Sequence, residues 1–300
     1  MMNGELSGQL LLGVDGGGTR CRARLATCAG DILGEGESGP ANLRLGFLDA
    51  FAAVLDAAGL CLAAAGLPRN ALGRTVACLA LAGASEPAER AAARRHPLPF
   101  RQIIVITDAE AACVGAHGGG DGAIIVIGTG SIGWGIAEGR DYRVGGWGLG
   151  VSDEGGGAWL GREAARRVLW AHDGRIAWTP MLREVFEAFG GDPHAIVRWA
   201  ANARPHDYGS FAPLVVEHAR RGDPIGGELV RLGGSHLDTL AARLVSTGFA
   251  RIALTGGLVA AMEPYLAPET RRYIVPAQGD ALSGALRIAA SAVRARAAAT

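Results

Sequence analysis

The chain opens with a pattern of strands separated by a glycine-rich turn. Apolar residues run from Leu10 to Val14, glycines follow at 16–18, and apolar and polar residues then alternate over 21–29. A continuous apolar run predicts a buried strand, alternation predicts a half-buried strand, and glycine marks the turn between them. We therefore expect a strand–turn–strand unit at the start of the chain.

The rest of the first half alternates helices with further apolar runs. Helical spacing covers 47–66, and a charged helix covers 86–95. Apolar runs at 74–81 and 101–107 predict two more buried strands, and the alanine-rich segment after Asp108 predicts a helix. Strands that alternate with helices are typical of α/β folds.

The pattern restarts after the polar glycine stretch at 117–122. An apolar strand, a glycine turn with threonine and a second strand follow within 121–139, in the same order as at the amino terminus. A repeated order of elements indicates a structural duplication. We predict an α/β protein with two mixed sheets and two domains, residues 1–117 and 118–300. Further helices are predicted at 156–172, 180–190, 193–203, 211–221, 225–246 and 281–297, with a last strand at 251–254.

Composition narrows the chemistry that the chain can perform. With 29 basic and 29 acidic residues, it lacks the positive field expected of a protein that binds nucleic acid or a membrane surface. Every basic residue is arginine, and the absence of lysine excludes the Walker A loop, Schiff-base chemistry and a lysine general base. Asp15 interrupts the first apolar run, so neither a signal peptide nor a membrane-spanning helix is predicted there, and a cytoplasmic location is expected.

Cysteine and histidine form no metal-binding pattern. The five cysteines include no CxxC pair, and the seven histidines show no HExxH spacing. Apolar neighbours predict small buried thiols in a reducing compartment. The absence of GxSxG also counts against a hydrolase with a nucleophile elbow. The cysteines are Cys21, Cys28, Cys61, Cys78 and Cys113.

Two glycine loops are candidates for binding phosphate. Each follows a buried strand, frees backbone N–H groups through glycine and adds a threonine hydroxyl. Either loop alone could be a simple turn, but a pair in corresponding positions favours a nucleotide whose phosphates are held from both sides. Asp15, at the end of the first strand, supplies an oxygen ligand suited to Mg²⁺. The candidate nucleotide-binding residues are Gly17, Gly18, Thr19, Gly128, Thr129 and Gly130.

Two further strand ends carry candidate chemistry. Gly256 and Gly257 follow the last strand, where bare backbone can lie against a large ligand or simply lead into a helix. Asp108 follows a central strand, and ligands of α/β sheets bind at that end. Its carboxylate could accept the proton of a hydroxyl that attacks phosphorus, or it could cap the helix that follows.

A long glycine-rich segment at 145–159 carries candidate groups for a sugar. Trp147 offers an apolar face to a sugar ring, and Asp153 and Glu154 can accept hydrogen bonds from its hydroxyls. The alternative is a structural loop with an acid that caps the next helix. Asn42 is a polar candidate of the same kind, although asparagine is equally common in turns.

The order of these motifs resembles the sugar-kinase, heat-shock protein and actin superfamily, and within it the N-acetylglucosamine kinase family. The resemblance extends from residue 11 to about 290 and is carried by DGGGT, IGTGS, TDAEAA, GGWG with SDEG, and TGG followed by QGDALSGA. It implies two ribonuclease-H-like (actin-like ATPase) domains that bind ATP and Mg²⁺ in a cleft between them.

Carried over residue by residue, the resemblance implies a role for each matching position. Asp108 would be the catalytic base and Asp15 a magnesium-associated residue, and a homodimer is expected. The implied reaction is phosphorylation of the 6-hydroxyl of N-acetylglucosamine, with glucosamine as the alternative amino sugar. The implied sugar contacts are Asn42, Asp108, Gly146, Trp147 and Asp153, and the implied nucleotide contacts are Thr19, Thr129 and Gly257.

Two other functions stay open at this point. An ATPase that activates CoA reductases or dehydratases would share the phosphate loops, but it would hold an iron–sulfur cluster through cysteines in a glycine-flanked context. None of the five cysteines lies in such a context. A sugar-binding regulator without catalysis would have no need for Asp15, Asp108 and both loops together.

Overall fold

The structure is a computed structural model that describes residues 8–298 of the 300, apart from the side chain of Leu45. It contains two compact units. The first takes the chain up to Asp121, then Ile136–Gly139, then the chain from Pro276 onward, and the second takes Gly122–Gly135 and Arg140–Val275. The division at residue 117 expected from the sequence differs from this grouping at the carboxyl end, because the last helix packs on the first sheet.

The predicted strands and long helices are all present, and their ends shift by only a few residues. The strands are β1 (Leu10–Gly16), β2 (Cys21–Thr27), β3 (Ile32–Ser38), β4 (Thr75–Leu81), β5 (Gln102–Ile106), β6 (Gly122–Ile127), β7 (Ser131–Ala137), β8 (Arg140–Gly145) and β9 (Ile252–Thr255). The helices are α1 (Phe47–Ala64), α2 (Pro87–Arg95), α3 (Asp108–Ala116), α4 (Gly157–His172), α5 (Pro180–Glu187), α6 (Pro193–Ala200), α7 (Pro205–Gly209), α8 (Ala212–Arg220), α9 (Pro224–Ser246), α10 (Val259–Met262), α11 (Pro268–Arg271) and α12 (Ala281–Ala298).

The sheet of the first unit has the strand order β3-β2-β1-β4-β5 among the described residues. β1 is antiparallel to β2 and parallel to β4, and β4 is parallel to β5. The carboxyl ends of β1, β4 and β5 therefore lie along one edge, which is where open α/β sheets bind ligands.

Alternate residues of β1 and β4 face two separate cores. Leu12 and Leu79 belong to the core that contains α1, whereas Leu11 and Cys78 belong to the core that contains α12. Because successive side chains of a strand point to opposite faces, the two helices cover opposite sides of the sheet. By length and composition α1 could cross a membrane, but burial of one face, including Phe51, explains its apolar character.

The carboxyl-terminal helix α12 packs against α3 at two glycine contacts. A Cβ on Gly284 would overlap the carbonyl of Ala111, and a Cβ on Gly115 would overlap the carbonyl of Asp280. The missing side chains let the two helices approach closely. This packing places α12 in the first unit although it follows the whole second unit in sequence.

The sheet of the second unit has the strand order β8-β7-β6-β9 among the described residues, and β6 is parallel to β9. This order repeats the β3-β2-β1-β4 portion of the first sheet. The repetition confirms the structural duplication predicted from the two strand–glycine–strand segments. Helices α5, α7 and α8 pack on α4, and α9 packs on α8.

Candidate active site

The first glycine loop joins β1 to β2 at the edge of the first sheet. Gly17 N donates to Arg20 O at 2.9 Å, and Ala41 N donates to Gly17 O at 3.0 Å. Gly18 and Thr19 follow this anchored residue and are exposed. The loop thus offers bare backbone and one hydroxyl group at the surface of the first unit.

The glycines of this loop are present for different reasons. A Cβ on Gly16 would overlap Leu81 and the carbonyl of Ala41, so packing within the unit requires glycine there. A Cβ on Gly18 would meet nothing nearer than Asn42 Nδ2 at 3.9 Å, and Gly18 does not have a left-handed backbone conformation. The fold therefore does not itself require glycine at position 18.

Asp15 pairs with Arg22 across the antiparallel register of β1 and β2. Arg22 Nη2 lies 2.5 Å from Asp15 Oδ2, and both side chains are partly buried. Burial lowers the pKa of Arg22, but the hydrogen bond to Asp15 and its negative charge outweigh this effect, so the pKa lies above its usual value. A cross-strand ion pair therefore fixes the carboxylate that the sequence associates with magnesium.

The donors in this region suit a magnesium ion held by few protein groups. Across residues 8–298, no three histidine, cysteine, aspartate or glutamate side chains come together as a metal cage. Mg²⁺ commonly binds one or two carboxylates, keeps several waters and takes further oxygens from substrate phosphates. Asp15, beside an exposed glycine loop, fits that mode of binding.

Asp108 is the first residue of α3 and lies just beyond the carboxyl end of β5. The cap of this helix is Thr107, whose Oγ1 accepts a hydrogen bond from Glu110 N at 3.0 Å. Asp108 is exposed, and its Oδ1 accepts a hydrogen bond from Ala109 N at 2.9 Å. The capping role considered for Asp108 thus belongs to Thr107, and the carboxylate stands at the ligand-binding edge of the sheet.

Asn42 has a structural task and also adjoins the first glycine loop. Its backbone forms an isolated bridge with Ala82, at the end of β4. Its Oδ1 accepts a hydrogen bond from Arg44 N at 3.0 Å and caps the short 3-10 helix Leu43–Leu45. Nδ2 is the group nearest to an added Cβ on Gly18. The amide donor of Asn42 therefore lies beside the loop, at the same edge of the sheet as Asp15.

The second glycine loop joins β6 to β7 and is tied to the start of α4. Gly128 O accepts a hydrogen bond from Gly157 N and Thr129 O accepts one from Ala158 N, both at 2.8 Å. No side chain caps α4, whose N-cap is Gly156, so the loop carbonyls take the place of a cap. These bonds fix the loop, while Thr129 remains exposed.

The TGG motif lies beside the second loop because β9 is parallel to β6. Leu258 N donates to Ile127 O at 2.9 Å. Gly256 has a φ of +106°, and a Cβ there would overlap the backbone of Ile127, so only glycine fits. Gly257 is exposed, and an added Cβ would meet nothing within 4 Å. Two motifs expected to contact the nucleotide are therefore neighbours in the second unit.

In the glycine-rich segment after β8, the ring of Trp147 is stacked against the guanidinium of Arg143. Trp147 is 64% exposed, and the guanidinium carbon of Arg143 lies 3.8 Å from the ring centroid. Arg143 also donates through Nε to Gly145 O at 3.1 Å and through Nη2 to Gly146 O. Sequence reasoning did not find Arg143, because its contacts with this segment arise only when the segment folds back on the strand.

Asp153 joins this segment to the second glycine loop. Its φ is 68°, a left-handed conformation that aspartate tolerates better than most residues. Asp153 Oδ1 accepts a hydrogen bond from Gly148 N at 3.0 Å, and Oδ2 lies against Gly130. Ser131 Oγ donates to Glu154 O at 2.7 Å and adds a second link. The candidate sugar segment and the candidate phosphate loop are thus held together within the second unit.

The duplicated sheets, each with a glycine loop at the end of a central strand, are those of the actin-like ATPase fold. The chain belongs to the BadF/BadG/BcrA/BcrD ATPase family, whose sequence model matches residues 12–289. Glucosamine kinase of Vibrio cholerae is 38% identical over 278 residues, which cover 93% of this chain and 95% of that protein.

Solved structures agree with this assignment. A crystal structure assigned to an N-acetylglucosamine kinase of Chromobacterium violaceum has a TM-score of 0.89 and 35% identity, and the match covers 94% of this chain and 99% of that chain. A ROK family glucokinase of Streptomyces griseus, at 18% identity and a TM-score of 0.54, shares the fold over 95% of this chain and 98% of its own. The family resemblance predicted from the motifs is therefore confirmed.

Proposed function

We propose that this protein is an ATP-dependent kinase that transfers the γ-phosphoryl group of ATP to the 6-hydroxyl of an amino sugar. The placement of Asp108 carries the proposal: an exposed carboxylate, relieved of helix capping by Thr107, stands at the sheet edge that also bears Asp15 and the first glycine loop. The 38% identity with the Vibrio glucosamine kinase, over an alignment that covers 93% of this chain, supports the substrate class.

In this mechanism Asp108 acts as the general base. It accepts the proton of the 6-hydroxyl while that oxygen attacks the γ-phosphorus and ADP leaves. The transition state of phosphoryl transfer is loose, so alignment and electrostatics supply most of the rate enhancement. N–H groups of the two glycine loops, with the hydroxyls of Thr19 and Thr129, bind phosphate oxygens. Gly256 and Gly257 lie against the rest of the nucleotide.

Asp15 holds magnesium in the proposed enzyme, and Arg22 holds Asp15. The ion, when bound, neutralises charge on the phosphate oxygens. Arg22 keeps Asp15 Oδ2 in one place through its bond of 2.5 Å. The ion pair therefore limits how far the carboxylate can turn before the metal–nucleotide complex arrives.

The proposed sugar contacts are those that the family resemblance implies. Asn42 and Asp153 form hydrogen bonds with the hydroxyls of the sugar, and Trp147 packs against the sugar ring. The carbonyl of Gly146 accepts a hydrogen bond from Arg143, and the N–H of Gly146 is the proposed contact to the sugar. Asp108 completes the set, since a base must lie within hydrogen-bond reach of the hydroxyl that it deprotonates.

We take N-acetylglucosamine as the preferred substrate and glucosamine as the alternative. The match to the structure assigned to an N-acetylglucosamine kinase of Chromobacterium violaceum supports this choice. The named activity of the Vibrio relative favours glucosamine, so both sugars belong in the test.

The test is an assay of ADP release by the purified protein with ATP, Mg²⁺ and one sugar at a time. We expect release that depends on the amino sugar, with a higher kcat/KM for N-acetylglucosamine than for glucosamine or glucose. Phosphorus and proton NMR of the product should place the phosphate on O6. Absence of release with either amino sugar, or phosphate at another oxygen, would contradict the proposal.

The cysteines argue against an activator-type ATPase. Cys21, Cys61, Cys78 and Cys113 are buried. Burial raises the pKa of the Cys21 thiol to about 12 and that of Cys61 to about 11, so forming a thiolate at either position is costly. Iron–sulfur clusters are held by thiolates. Protein purified without oxygen should show no visible absorbance, whereas a brown protein that hydrolyses ATP without sugar would favour the activator.

Location and assembly complete the proposal. ATP and reduced thiols are both available in the cytoplasm, which is where we propose that the enzyme acts. Its partner is a small-molecule sugar rather than nucleic acid or a membrane. The homodimer expected from the family resemblance is tested by light scattering after size-exclusion chromatography.

A further inference from the structure

Arg143, in β8, holds both the ring and the backbone of the segment that follows it. Its guanidinium carbon lies 3.8 Å from the centroid of the Trp147 ring. Its Nε donates to Gly145 O at 3.1 Å, and its Nη2 donates to Gly146 O. One planar guanidinium therefore fixes three consecutive residues through a stacking contact and two hydrogen bonds.

The backbone after Trp147 is held by the hydrogen bond of Gly148 N to Asp153 Oδ1 at 3.0 Å, but this bond does not contact the ring. Gly145 and Gly146 have φ values of +69° and +70°, and glycine is the residue with the most conformational freedom to lose. Trp147 is 64% exposed, so burial contributes little to holding its ring. A Cβ on Gly146 would overlap Ile132, which limits movement of the backbone only on that side. The direction of the ring thus depends on the arginine.

We propose that Arg143 is a positioning residue of the sugar site, which holds the Trp147 ring in its binding arrangement before the sugar arrives. The inference rests on the proposed function, in which Trp147 packs against the sugar. Arg143 stacks on one face of an otherwise exposed ring, and the opposite face is available to the substrate. A pre-oriented ring spares the ordering cost that binding would otherwise carry.

Arginine suits this task better than lysine. A guanidinium is planar, stacks on an aromatic face and donates from several nitrogens in a fixed fork, whereas an ammonium is a compact point charge. Lysine at position 143 would keep the positive charge, but it could not stack and bond to both carbonyls in the same way. A comparison of arginine with lysine at position 143 therefore separates the effect of the positive charge from the effect of orienting the Trp147 ring.

The test compares Arg143→Gln with Arg140→Gln and Arg143→Lys. Arg140 begins the same strand and is exposed. Arg140→Gln removes the same positive charge as Arg143→Gln. We expect Arg143→Gln to raise the KM for the amino sugar by about tenfold, while the KM for ATP and the melting temperature stay near wild type. Arg143→Lys should fall between, and Arg140→Gln should match wild type.

A double-mutant cycle with Trp147→Leu shows whether Arg143 acts through the ring. If it does, Arg143→Gln adds less than about twofold to the sugar KM once Trp147 is removed. Equal effects in both backgrounds, or a normal sugar KM in Arg143→Gln, would overturn the inference. A rise in both KM values with a lower melting temperature would also overturn it, because that pattern indicates a purely structural role.

The failure of this inference is distinguishable from failure of the proposed function. Wild-type protein that shows no phosphorylation dependent on an amino sugar removes the proposed function. Wild-type protein that phosphorylates the sugar normally, together with an Arg143→Gln variant of unchanged sugar KM, removes only the role of Arg143. Both readings come from the same set of assays.

Discussion

Gly130 and Asp153 lie so close that no side chain fits between them: a Cβ on Gly130 would overlap Oδ2 and Cγ of Asp153. Gly130 belongs to the second glycine loop, and Asp153 belongs to the segment proposed to bind the sugar. Asp153 Oδ1 also accepts a hydrogen bond from Gly148 N at 3.0 Å. One carboxylate therefore links the proposed phosphate contacts of the second unit to its proposed sugar contacts.

We expect Gly130→Ala to raise the KM for both the sugar and ATP, because the added methyl group must displace Asp153 or the loop. Overpacking of this kind costs about 1–3 kcal/mol of stability. The matched control is Gly150→Ala, since a Cβ on Gly150 meets nothing within 4 Å and its φ is not left-handed. Kinetics and thermal unfolding of both variants provide the check, and normal KM values in Gly130→Ala would contradict the linkage.

Asp108→Asn should lose turnover without losing stability. General-base catalysis typically contributes a factor of about 10²–10⁴, and we expect kcat to fall within that range. Stability should hold because Thr107 caps the helix. Thr107→Ala is the complementary variant and should lose about 1 kcal/mol in urea unfolding. Near-normal turnover in Asp108→Asn would remove this residue from the mechanism.

The sequence predicted the strand ends of the site because they are local features. In the sequence, a buried strand such as β1 is an apolar run, and the glycine loop after it interrupts that run. The same pattern at β6 predicted the duplication, and the position of Asp108 after an apolar run predicted its place at the sheet edge. Each of these features depends on neighbouring residues only.

The side-chain partners could not be predicted because they depend on register and on distant packing. Asp15 meets Arg22 only through the specific alignment of β1 with β2. The alanine-rich pattern of α12 predicts a helix, but its return to the first unit is set by contacts such as that of Gly284 with the carbonyl of Ala111. The need for glycine at position 284 is visible only in the fold, where α3 packs against it.

Gly18→Ala should weaken nucleotide binding without weakening the fold. The added methyl group has no protein atom closer than 3.9 Å, so stability should not fall. If phosphate approaches the backbone at this position, the methyl group obstructs it, and the KM for ATP should rise by about tenfold or more. The KM for the sugar should change much less.

Gly73→Ala is the matched control for this prediction. Gly73 lies in the same unit, an added Cβ there also meets nothing within 4 Å, and its φ is not left-handed. We expect both KM values of Gly73→Ala to equal those of wild type. An unchanged KM for ATP in Gly18→Ala would argue that the first glycine loop does not contact the nucleotide.

The Asp223 carboxylate accepts three hydrogen bonds from backbone N–H groups and thereby links the start of α5 to the start of α9. Its Oδ2 accepts from Met181 N, and its Oδ1 accepts from Ile225 N and Gly226 N, all at 3.0 Å. Burial raises the pKa of this carboxyl, but the hydrogen bonds led by that from Gly226 outweigh it, so the pKa lies below its ordinary value. A depressed folded-state pKa stabilises the fold above the ordinary pKa, and this stabilisation is lost as pH falls through the folded value.

We therefore expect wild-type stability to fall as the pH drops below about 4, and Asp223→Asn to flatten part of that decline. At pH 7 the variant should lose about 1–3 kcal/mol, because asparagine keeps a single acceptor oxygen and its amide nitrogen cannot accept the bonds made by the other carboxylate oxygen. Asp192→Asn is the control: Asp192 caps α6 through His194 N at 2.9 Å, but it lies at the surface and is paired with Arg198. Its effect should be smaller at both pH values.

Urea unfolding at neutral and acidic pH measures these differences. If the free energy of unfolding falls as steeply with decreasing pH in Asp223→Asn as in wild type, the Asp223 carboxylate does not contribute to the acid destabilisation.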